Sequence, residues 1–249
     1  MTNYNPFSLE GKTILITGAS SGIGRATAIE CSKMGATLIV CGRDEARLNE
    51  TSKALDGENH QTFTGDLVEH NKIDELVGHI SNVDGVVLCA GKGGNLPIPF
   101  CSREKFDELW NINFFAPVEL LRLLVKKKKI NKGGSVVFVS SIGGVFSHEV
   151  SNARYGSSKA AIHSIMQYCA NEFAPKQIRV NSVNPGMVNT PLIQRGTLTE
   201  EQLQADKQSY PLKRYGEPQE IALGIVYLLS DASSWTTGHA LVIDGGKTI

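Results

Sequence analysis

The chain has 249 residues, 41% of them hydrophobic, so it is long enough to bury one sizeable core. Its 25 Lys and Arg residues match its 25 Asp and Glu residues, which gives a formal net charge of +0 at pH 7. Nucleic-acid binders usually carry a basic surplus, because neutralising phosphates supplies most of their affinity. The charge balance therefore disfavours a nucleic-acid partner and favours a small-molecule site.

The cysteines and the apolar runs indicate where the protein works. The five cysteines form no C-x-x-C pair and are odd in number, which is typical of free thiols in a reducing compartment. Met1–Lys12 lacks a cationic stretch followed by an apolar one, and apolar runs such as Val86–Ala90 are far shorter than a membrane span. We therefore expect a cytoplasmic protein with no membrane partner.

Short β-branched, apolar runs alternate with longer helical patterns along almost the whole chain. The predicted strands are Thr13–Ile16, Thr37–Cys41, Gln61–Thr64, Gly85–Cys89, Ser135–Ser140, Arg179–Asn184 and Ala240–Asp244. The predicted helices are Ile23–Met34, Glu45–Leu55, Lys72–Ile80, Glu104–Lys129, Ala153–Phe173, Glu200–Gln208 and Pro218–Leu229. This alternation predicts an α/β fold with a doubly wound parallel sheet of the Rossmann type. Because no linker or repeat divides the sequence, residues 1–249 are expected to form a single domain.

A run of lysines, Lys126–Lys129, closes the long helix predicted over Glu104–Lys129. Cations there meet the negative end of the helix dipole. Gly133 and Gly134 follow and are predicted to stop the helix. The run is interpreted as a solvated helix end, with an anion-binding patch as the alternative.

A glycine-rich turn joins the first predicted strand to the first predicted helix. Thr17–Gly24 has the sequence TGASSGIG, whose glycine spacing differs by one step from the common dinucleotide fingerprint. Glycine lets the backbone approach a pyrophosphate closely, and the N–H groups that open the helix face that anion. A plain strand-to-helix loop is the alternative. The predicted cofactor contacts in this turn are Gly18, Ser20, Ser21, Gly22, Ile23 and Gly24.

In a βαβ unit that binds a nicotinamide dinucleotide, the end of the second strand distinguishes NAD from NADP. A carboxylate there would hydrogen-bond the ribose 2′-OH of NAD and repel the 2′-phosphate of NADP. This chain has Cys41-Gly42-Arg43 instead, and an arginine can hold a phosphate by paired, charge-assisted hydrogen bonds. The sequence therefore predicts NADP(H). In the alternative, Arg43 is solvated and Asp44 binds the ribose of NAD(H).

Tyr155 and Lys159 are four residues apart and share one face of a predicted helix. The pair gains weight because it follows Ser140 and Ser141 at the carboxyl end of a strand, where ligands bind in parallel sheets. Reducing a carbonyl group places negative charge on its oxygen and requires a proton donor. An adjacent ammonium group and an oxidised nicotinamide ring are expected to lower the phenol pKa from its usual value of about 10.

Together these motifs resemble the short-chain dehydrogenase/reductase family, and the likeness covers nearly the whole chain. The residues that carry it are TGASSGIG, Asp66, Cys89-Ala90-Gly91, Asn113, Ser141, Tyr155 with Lys159, Asn184-Pro185-Gly186 and Asp244-Gly245-Gly246. The resemblance implies hydride exchange between a nicotinamide cofactor and a carbonyl or alcohol. One departure is Leu88-Cys89, which stands where the family often has two asparagines. We expect this change to weaken a hydrogen bond that braces the strand.

The resemblance implies roles for four catalytic residues. Tyr155 is the general acid/base, and Lys159 holds the nicotinamide ribose while lowering the tyrosine pKa. Ser141 hydrogen-bonds the substrate oxygen, with Ser140 as the alternative. Asn113 orders a water that connects Lys159 to solvent as a proton relay.

The resemblance also implies further cofactor contacts. Asp66 contacts the adenine, and Leu67 adds backbone contacts. The loop after the sixth predicted strand lies over the nicotinamide, where Val188 and Thr190 meet the carboxamide and phosphate. The full set is Asp66, Leu67, Ala90, Gly91, Pro185, Gly186, Val188 and Thr190, together with Tyr155 and Lys159.

The expected reaction is reduction of a carbonyl group to a secondary alcohol. The ending from Pro211–Arg214 to Asp244–Gly246 resembles bacterial members that reduce 3-oxoacyl thioesters, which makes such a thioester the leading substrate. An NAD-dependent alcohol, sugar or steroid dehydrogenase is the alternative. A non-catalytic nucleotide-binding protein ranks lower, because such a protein would be expected to lose the catalytic side chains.

Three segments are expected to form the substrate wall: Lys92–Pro97, Gly143–Ser151 and Pro191–Pro211, the last as a lid. The six histidines show no metal-ligand spacing, so no metal is expected. The resemblance further implies a homotetramer, with Glu104–Lys129, Ala153–Phe173 and the last strand at its interfaces.

Overall fold

The structure, a computed structural model, describes residues 4–194 and 199–249. The strands are β1 (Thr13–Thr17), β2 (Thr37–Gly42), β3 (Gln61–Thr64), β4 (Val83–Leu88), β5 (Ile130–Val139), β6 (Arg179–Pro185) and β7 (Ala240–Ile243). The α-helices are α1 (Gly22–Lys33), α2 (Glu45–Lys53), α3 (His70–His79), α4 (Arg103–Trp110), α5 (Ala116–Lys126), α6 (Ala153–Phe173), α7 (Pro191–Gln194), α8 (Glu200–Ser209) and α9 (Pro218–Leu229). In these described residues, no helix has both the length and the apolar character that crossing a membrane requires.

The seven strands form one sheet in the order β3-β2-β1-β4-β5-β6-β7, and every pairing is parallel. The predicted doubly wound Rossmann-type sheet is therefore confirmed. The strand order reverses between β1 and β4, and ligands bind beyond the carboxyl ends of the strands at such a point. The turns after β1 and β4 consequently lie side by side at this switch point, at the edge of the sheet where a ligand crevice is expected.

Both faces of the sheet are buried under helices. On β5, Val136 and Phe138 pack into one core cluster, with side chains from α3, α5 and α6. Val137 and Val139 point the other way, into a cluster with side chains from α1, α2 and α9. Alternate residues of a strand face opposite sides, which explains why these strands are apolar runs and not alternating patterns.

The prediction for the end of the long helix was wrong. Helix α5 ends at Lys126, and the chain reverses at Lys128, whose φ of 55° lies in the left-handed region. Strand β5 begins at Ile130 and passes through Gly133 and Gly134, so these glycines stop no helix. The chain therefore reverses at Lys128 and not at the predicted glycines. Lys128 adopts a left-handed backbone conformation there, which costs more free energy for lysine than for glycine.

The same long helix contains a break that periodicity did not predict. Asn111–Phe115 is a π-helical stretch between α4 and α5. Such bulges shift the side chains that follow and are frequent at functional sites. A second addition is the short helix α7, which lies in the predicted lid and was not predicted as a helix.

Candidate functional site

The glycine-rich turn is built by close approaches that only glycine allows. A Cβ on Gly18, at φ +69°, would lie 2.9 Å from Ala90 Cα, and one on Gly24 would lie 2.3 Å from Gly18 O. A Cβ on Gly22 would come within 3.2 Å of the Thr190 methyl group. The turn therefore leaves an open backbone surface at the start of α1, and this geometry fits a dinucleotide pyrophosphate.

Thr17 fastens the two facing turns together, a role that the sequence reasoning missed. Its hydroxyl donates to Val87 O at 3.3 Å and accepts from the backbone N–H groups of Cys89 (3.0 Å) and Ala90 (3.2 Å). The turn after β4, in which Leu88-Cys89 departs from the family pattern, is thus braced from β1. A threonine ending a strand beside a glycine turn is the signal that could have suggested this.

At the other end of the crevice, Arg43 and Asp66 lie together. Arg43 Nη1 is 3.2 Å from Asp66 Oδ2, and both side chains remain partly or largely exposed. Asp44 does not pair with Arg43. Its carboxylate caps α2 by accepting from Arg47 N at 3.0 Å and pairs with Arg47 Nε at 2.7 Å. These bonds hold the pKa of Asp44 below its usual value, the bond from the Arg47 backbone being the largest cause.

Ser141, Tyr155 and Lys159 converge beyond the carboxyl end of β5. Lys159 is buried, its Nζ donates to Val139 O at 2.8 Å, and it lies 5.7 Å from the centre of the Tyr155 ring. Ser141 Oγ accepts from Gly143 N at 3.0 Å. Ser140 is turned away, because its buried hydroxyl donates to Lys159 O at 3.0 Å. Of the two serines, only Ser141 is therefore available beside Tyr155.

Burial shifts the pKa values of Tyr155 and Lys159. It raises the pKa of Tyr155, while the Ser141 hydroxyl acts in the opposite direction. Burial also lowers the pKa of Lys159 to about 8. The expected lowering of the tyrosine pKa is thus not achieved by the protein alone, since desolvation outweighs the neighbouring groups.

Asn113 lies in the π-helical stretch and is buried. Its Oδ1 accepts from Lys92 N at 2.8 Å, and its Nδ2 donates to Lys92 O at 3.0 Å and to Ser158 Oγ at 3.2 Å. Asn113 Oδ1 and Lys159 Nζ are neighbours across Gly91, at 3.2 and 3.6 Å from the position of a Cβ there. The structure thus brings Asn113 to the lysine end of the cluster.

Two further bonds connect the end of β6 with the Ser141 segment. Asn184, at the end of β6, donates to Ser141 O at 2.9 Å, and Ile142 N donates to Pro185 O at 3.0 Å. These bonds join the Ser141 segment to the end of β6, directly before the loop that contains Val188 and Thr190. Leu67 is buried directly after Asp66.

Parts of the expected substrate wall meet. Leu96 N donates to Ser151 O at 2.6 Å, which ties the Lys92–Pro97 and Gly143–Ser151 segments together. Leu192 of α7 packs 3.4 Å from the position of a Cβ on Gly93. The lid predicted at 191–211 is described except for residues 195–198, so Arg195 lies outside the described residues.

A second pair of glycines fixes Tyr155 relative to Ser141 and was also missed. A Cβ on Gly144, at φ +85°, would lie 1.9 Å from Gly156 O. Because Gly144 follows Ser141 by three residues and Gly156 follows Tyr155 directly, this backbone contact presses the Ser141 loop against the first turn of α6.

The parallel sheet, the glycine-lined turn and the Ser-Tyr-Lys cluster define a Rossmann-fold oxidoreductase as the class of protein. A family model described as "Enoyl-(Acyl carrier protein) reductase" matches residues 18–248. The 3-oxoacyl-acyl-carrier-protein reductase FabG of Thermotoga maritima is 32% identical over 247 residues, covering 97% of this chain and 99% of the relative.

Solved structures give the same result. A short-chain dehydrogenase/reductase from Brucella melitensis superposes with a TM-score of 0.91 at 29% identity, over 98% of this chain and 100% of the other. The RhlG/NADP active-site complex of Pseudomonas aeruginosa has a TM-score of 0.89 at 25% identity, covering 99% and 100% of the two chains. This chain belongs to the short-chain dehydrogenase/reductase family, whose members use a nicotinamide cofactor and act on alcohol or carbonyl groups.

Gly144→Ala should lower kcat by about 100-fold or more, because even a 1 Å misplacement of reacting groups costs about that much. Steady-state kinetics and circular dichroism of the purified variant check this. The matched control is Gly133→Ala, since Gly133 has a similar φ of +83° but no atom within 4 Å of its Cβ position. Equal activity losses in the two variants would show that backbone strain alone, not the Gly156 contact, is responsible.

Proposed function

We propose that this protein is an NADP(H)-dependent reductase that converts a carbonyl group to a secondary alcohol, with Tyr155 as the general acid. The observation that carries the proposal is the convergence of Ser141, Tyr155 and Lys159 beyond β5, beside a glycine-lined turn that fits a dinucleotide. The retained catalytic side chains also argue against a non-catalytic nucleotide-binding protein.

The bound nicotinamide supplies the hydride. As negative charge develops on the carbonyl oxygen, Ser141 and Tyr155 are the donors that meet it. Ser141 Oγ accepts from Gly143 N at 3.0 Å, so that bond does not use the hydroxyl proton, which can be donated to the substrate oxygen in place of Tyr155. Tyr155 then transfers its phenolic proton to that oxygen.

The ionisation of the protein alone suits the reducing direction. Burial raises the pKa of Tyr155, so the phenol is protonated at neutral pH and ready to donate. The tyrosinate left behind is a partly buried anion, and the adjacent Lys159 ammonium is the group that stabilises it. Because burial raises the phenol pKa, lowering it would require the positive charge that an oxidised nicotinamide would supply when bound.

After the reaction, Tyr155 regains its proton from solvent by way of Lys159 and a water held by Asn113. Asn113 uses both of its amide protons and one lone pair on Lys92 and Ser158. One Oδ1 lone pair remains, which fits the role of ordering a water between Lys159 and solvent. The bonds to both backbone groups of Lys92 hold that oxygen still.

Selection of NADP(H) over NAD(H) is assigned to Arg43. Gly42 ends β2 without a carboxylate, and Asp44 is committed to capping α2. The exposed Arg43–Asp66 pair is worth about 0–1 kcal/mol, so a 2′-phosphate can replace Asp66 as the partner of Arg43 at little cost. The RhlG/NADP complex of Pseudomonas aeruginosa, which shares this fold, supports the proposal.

The leading substrate is a 3-oxoacyl thioester, the substrate class in the name of the Thermotoga maritima relative. Exposed apolar side chains on the expected substrate wall support an acyl chain, among them Phe146, Val150 and Leu192. A sugar or polyol would need a wall with more hydrogen-bonding groups. Measuring kcat/KM for 3-oxoacyl thioesters, polyols and steroids in both reaction directions decides between these substrate classes.

The single-domain organisation, the lid and the cytoplasmic location stay predictions.

Tyr155→Phe is expected to lower kcat by about 10² to 10⁴-fold while leaving NADPH affinity nearly intact, because it removes only the proton donor. Steady-state kinetics and a fluorescence titration with NADPH measure the two effects. Tyr168→Phe is the matched control, since Tyr168 lies on the same helix and is 65% exposed. Near-full activity of Tyr155→Phe would remove this residue from proton transfer.

Arg43→Ala should weaken NADPH binding by about 10- to 100-fold and leave NADH binding unchanged, because charge-assisted bonds to the 2′-phosphate are lost. Titration of ligand fluorescence with each cofactor checks this. Lys33→Ala, which removes a cation at the far end of α1, is the control. Equal losses for both cofactors would assign Arg43 a general role in place of a selective one.

The homotetramer is also a proposal. An aromatic group lies between α4 and α5, where the Phe114 and Phe115 rings are 5.3 Å apart and Phe115 is 51% exposed. Trp235, shortly before β7, is fully exposed. Light scattering at micromolar concentration is expected to give the mass of four chains. A monomer under these conditions would contradict the proposal.

A further inference from the structure

Helix α8 belongs to the expected lid and is attached to the body of the protein by one narrow face. None of its ten residues, all of them described, is buried. Leu203, Asp206 and Lys207 are partly covered, and they share one side of the helix because they are three and four residues apart. The position of α8 therefore depends on whatever this face contacts.

That face contacts Tyr215, a tyrosine that is only 2% exposed. The Tyr215 hydroxyl donates to Asp206 Oδ2 at 2.9 Å and lies 3.2 Å from Leu203 O. Lys207 Nζ lies 5.4 Å from the centre of the Tyr215 ring, within range of a cation–π contact. One side chain thus meets all three of the covered residues of α8.

The backbone beside Tyr215 is paired with the loop expected over the nicotinamide. Gly216 N donates to Met187 O at 3.0 Å, and Gly216 O accepts from Asn189 N at 2.8 Å. In addition, Met187 N donates to the hydroxyl of Tyr210, which packs edge-on against Tyr215 with ring centres 5.6 Å apart. The segment 210–216 therefore forms a direct bridge between α8 and the Met187–Asn189 loop.

The carboxyl end of α8 has a second, weaker attachment. Lys247 Nζ lies 2.5 Å from Ser209 Oγ and 3.5 Å from Asp206 Oδ1. Lys247 Nζ also lies 4.8 Å from the centre of the Tyr210 ring, so this attachment reaches the segment 210–216 as well. Tyr215 differs from Lys247 because its hydroxyl contacts both Leu203 and Asp206 on the covered face of α8.

We propose that Tyr215 is a positioning residue that couples the lid helix α8 to the nicotinamide loop Met187–Asn189, so that cofactor binding orders the lid for substrate. This inference rests on the proposed function, because it takes the Met187–Asn189 loop to contact the nicotinamide. Binding at the loop holds 210–216 through its backbone pairs, and the Tyr215 hydroxyl passes that restraint to Asp206 and Leu203. By linkage, the coupling is a free energy shared between the two sites.

Hydrogen exchange of the full chain, with and without NADPH, tests the coupling without depending on turnover. In the wild type, NADPH should slow exchange in both Gly22–Lys33 and Glu200–Ser209. In Tyr215→Phe, the first segment should still be slowed, while the effect on the second should fall about fivefold, as expected when a hydrogen bond is lost. Tyr227→Phe is the matched control, since it removes a partly buried hydroxyl near Thr236, away from α8.

The acceptor side provides a rescue test. Asp206→Ala should behave like Tyr215→Phe, whereas Asp206→Asn should keep the effect on α8, because an amide oxygen still accepts from the phenol. In kinetics, Tyr215→Phe should raise the KM of the carbonyl substrate about fivefold and leave kcat nearly unchanged.

The outcomes separate this inference from the proposed function. If NADPH slows exchange in α1 but not in α8 of the wild type, or equally in α8 of wild type and Tyr215→Phe, the coupling is overturned and the proposed function stands. If neither NADPH nor NADH slows exchange in either segment, the proposed function is overturned and the coupling with it.

Discussion

The buried ammonium group of Lys159 is the constraint around which the site is arranged. A buried charge is costly unless hydrogen bonds compensate for it, and Lys159 Nζ donates to Val139 O at 2.8 Å. That bond ties α6 to the last residue of β5, and the bond from Ser140 Oγ to Lys159 O ties the same two elements again. Once α6 is held there, Tyr155, one turn earlier, can only face the end of β5 and Ser141.

The compensation is incomplete, which gives the site its chemistry. Burial lowers the pKa of Lys159 to about 8, and no bond to a carboxylate offsets that cost within the residues that the structure describes. Cys89 interacts electrostatically with Lys159, and burial raises the pKa of the Cys89 thiol to about 11. The thiol is therefore neutral near pH 7 and leaves the ammonium charge unpaired. The proposed tyrosinate and the hydroxyl groups of a cofactor ribose are then the favoured partners of that charge.

The sequence was sufficient for the fold because alternation and apolar strand runs depend on local residue pattern. It was also sufficient to bring Ser141, Tyr155 and Lys159 together, since the carboxyl ends of parallel strands lie at one edge of the sheet. It failed where the chain departs from regular dihedrals. Lys128 adopts a left-handed conformation that residue identity does not predict, and no residue type in Asn111–Phe115 marks that stretch as π-helical.

Contacts between separate segments of the chain also could not be predicted from the sequence. These contacts determine the detailed geometry of the site. The Gly144–Gly156 contact joins residues twelve positions apart, and neither glycine by itself indicates that the two backbones meet. The pairing of Arg43 with Asp66 was missed for a different reason, since each residue was assigned to a different part of the cofactor. Their pairing places a carboxylate beside the proposed 2′-phosphate site, which raises the cost of binding an anion there. In the proposed NADP(H) complex, Arg43 exchanges Asp66 for the phosphate, which offers more charge and more acceptor oxygens than the carboxylate it replaces.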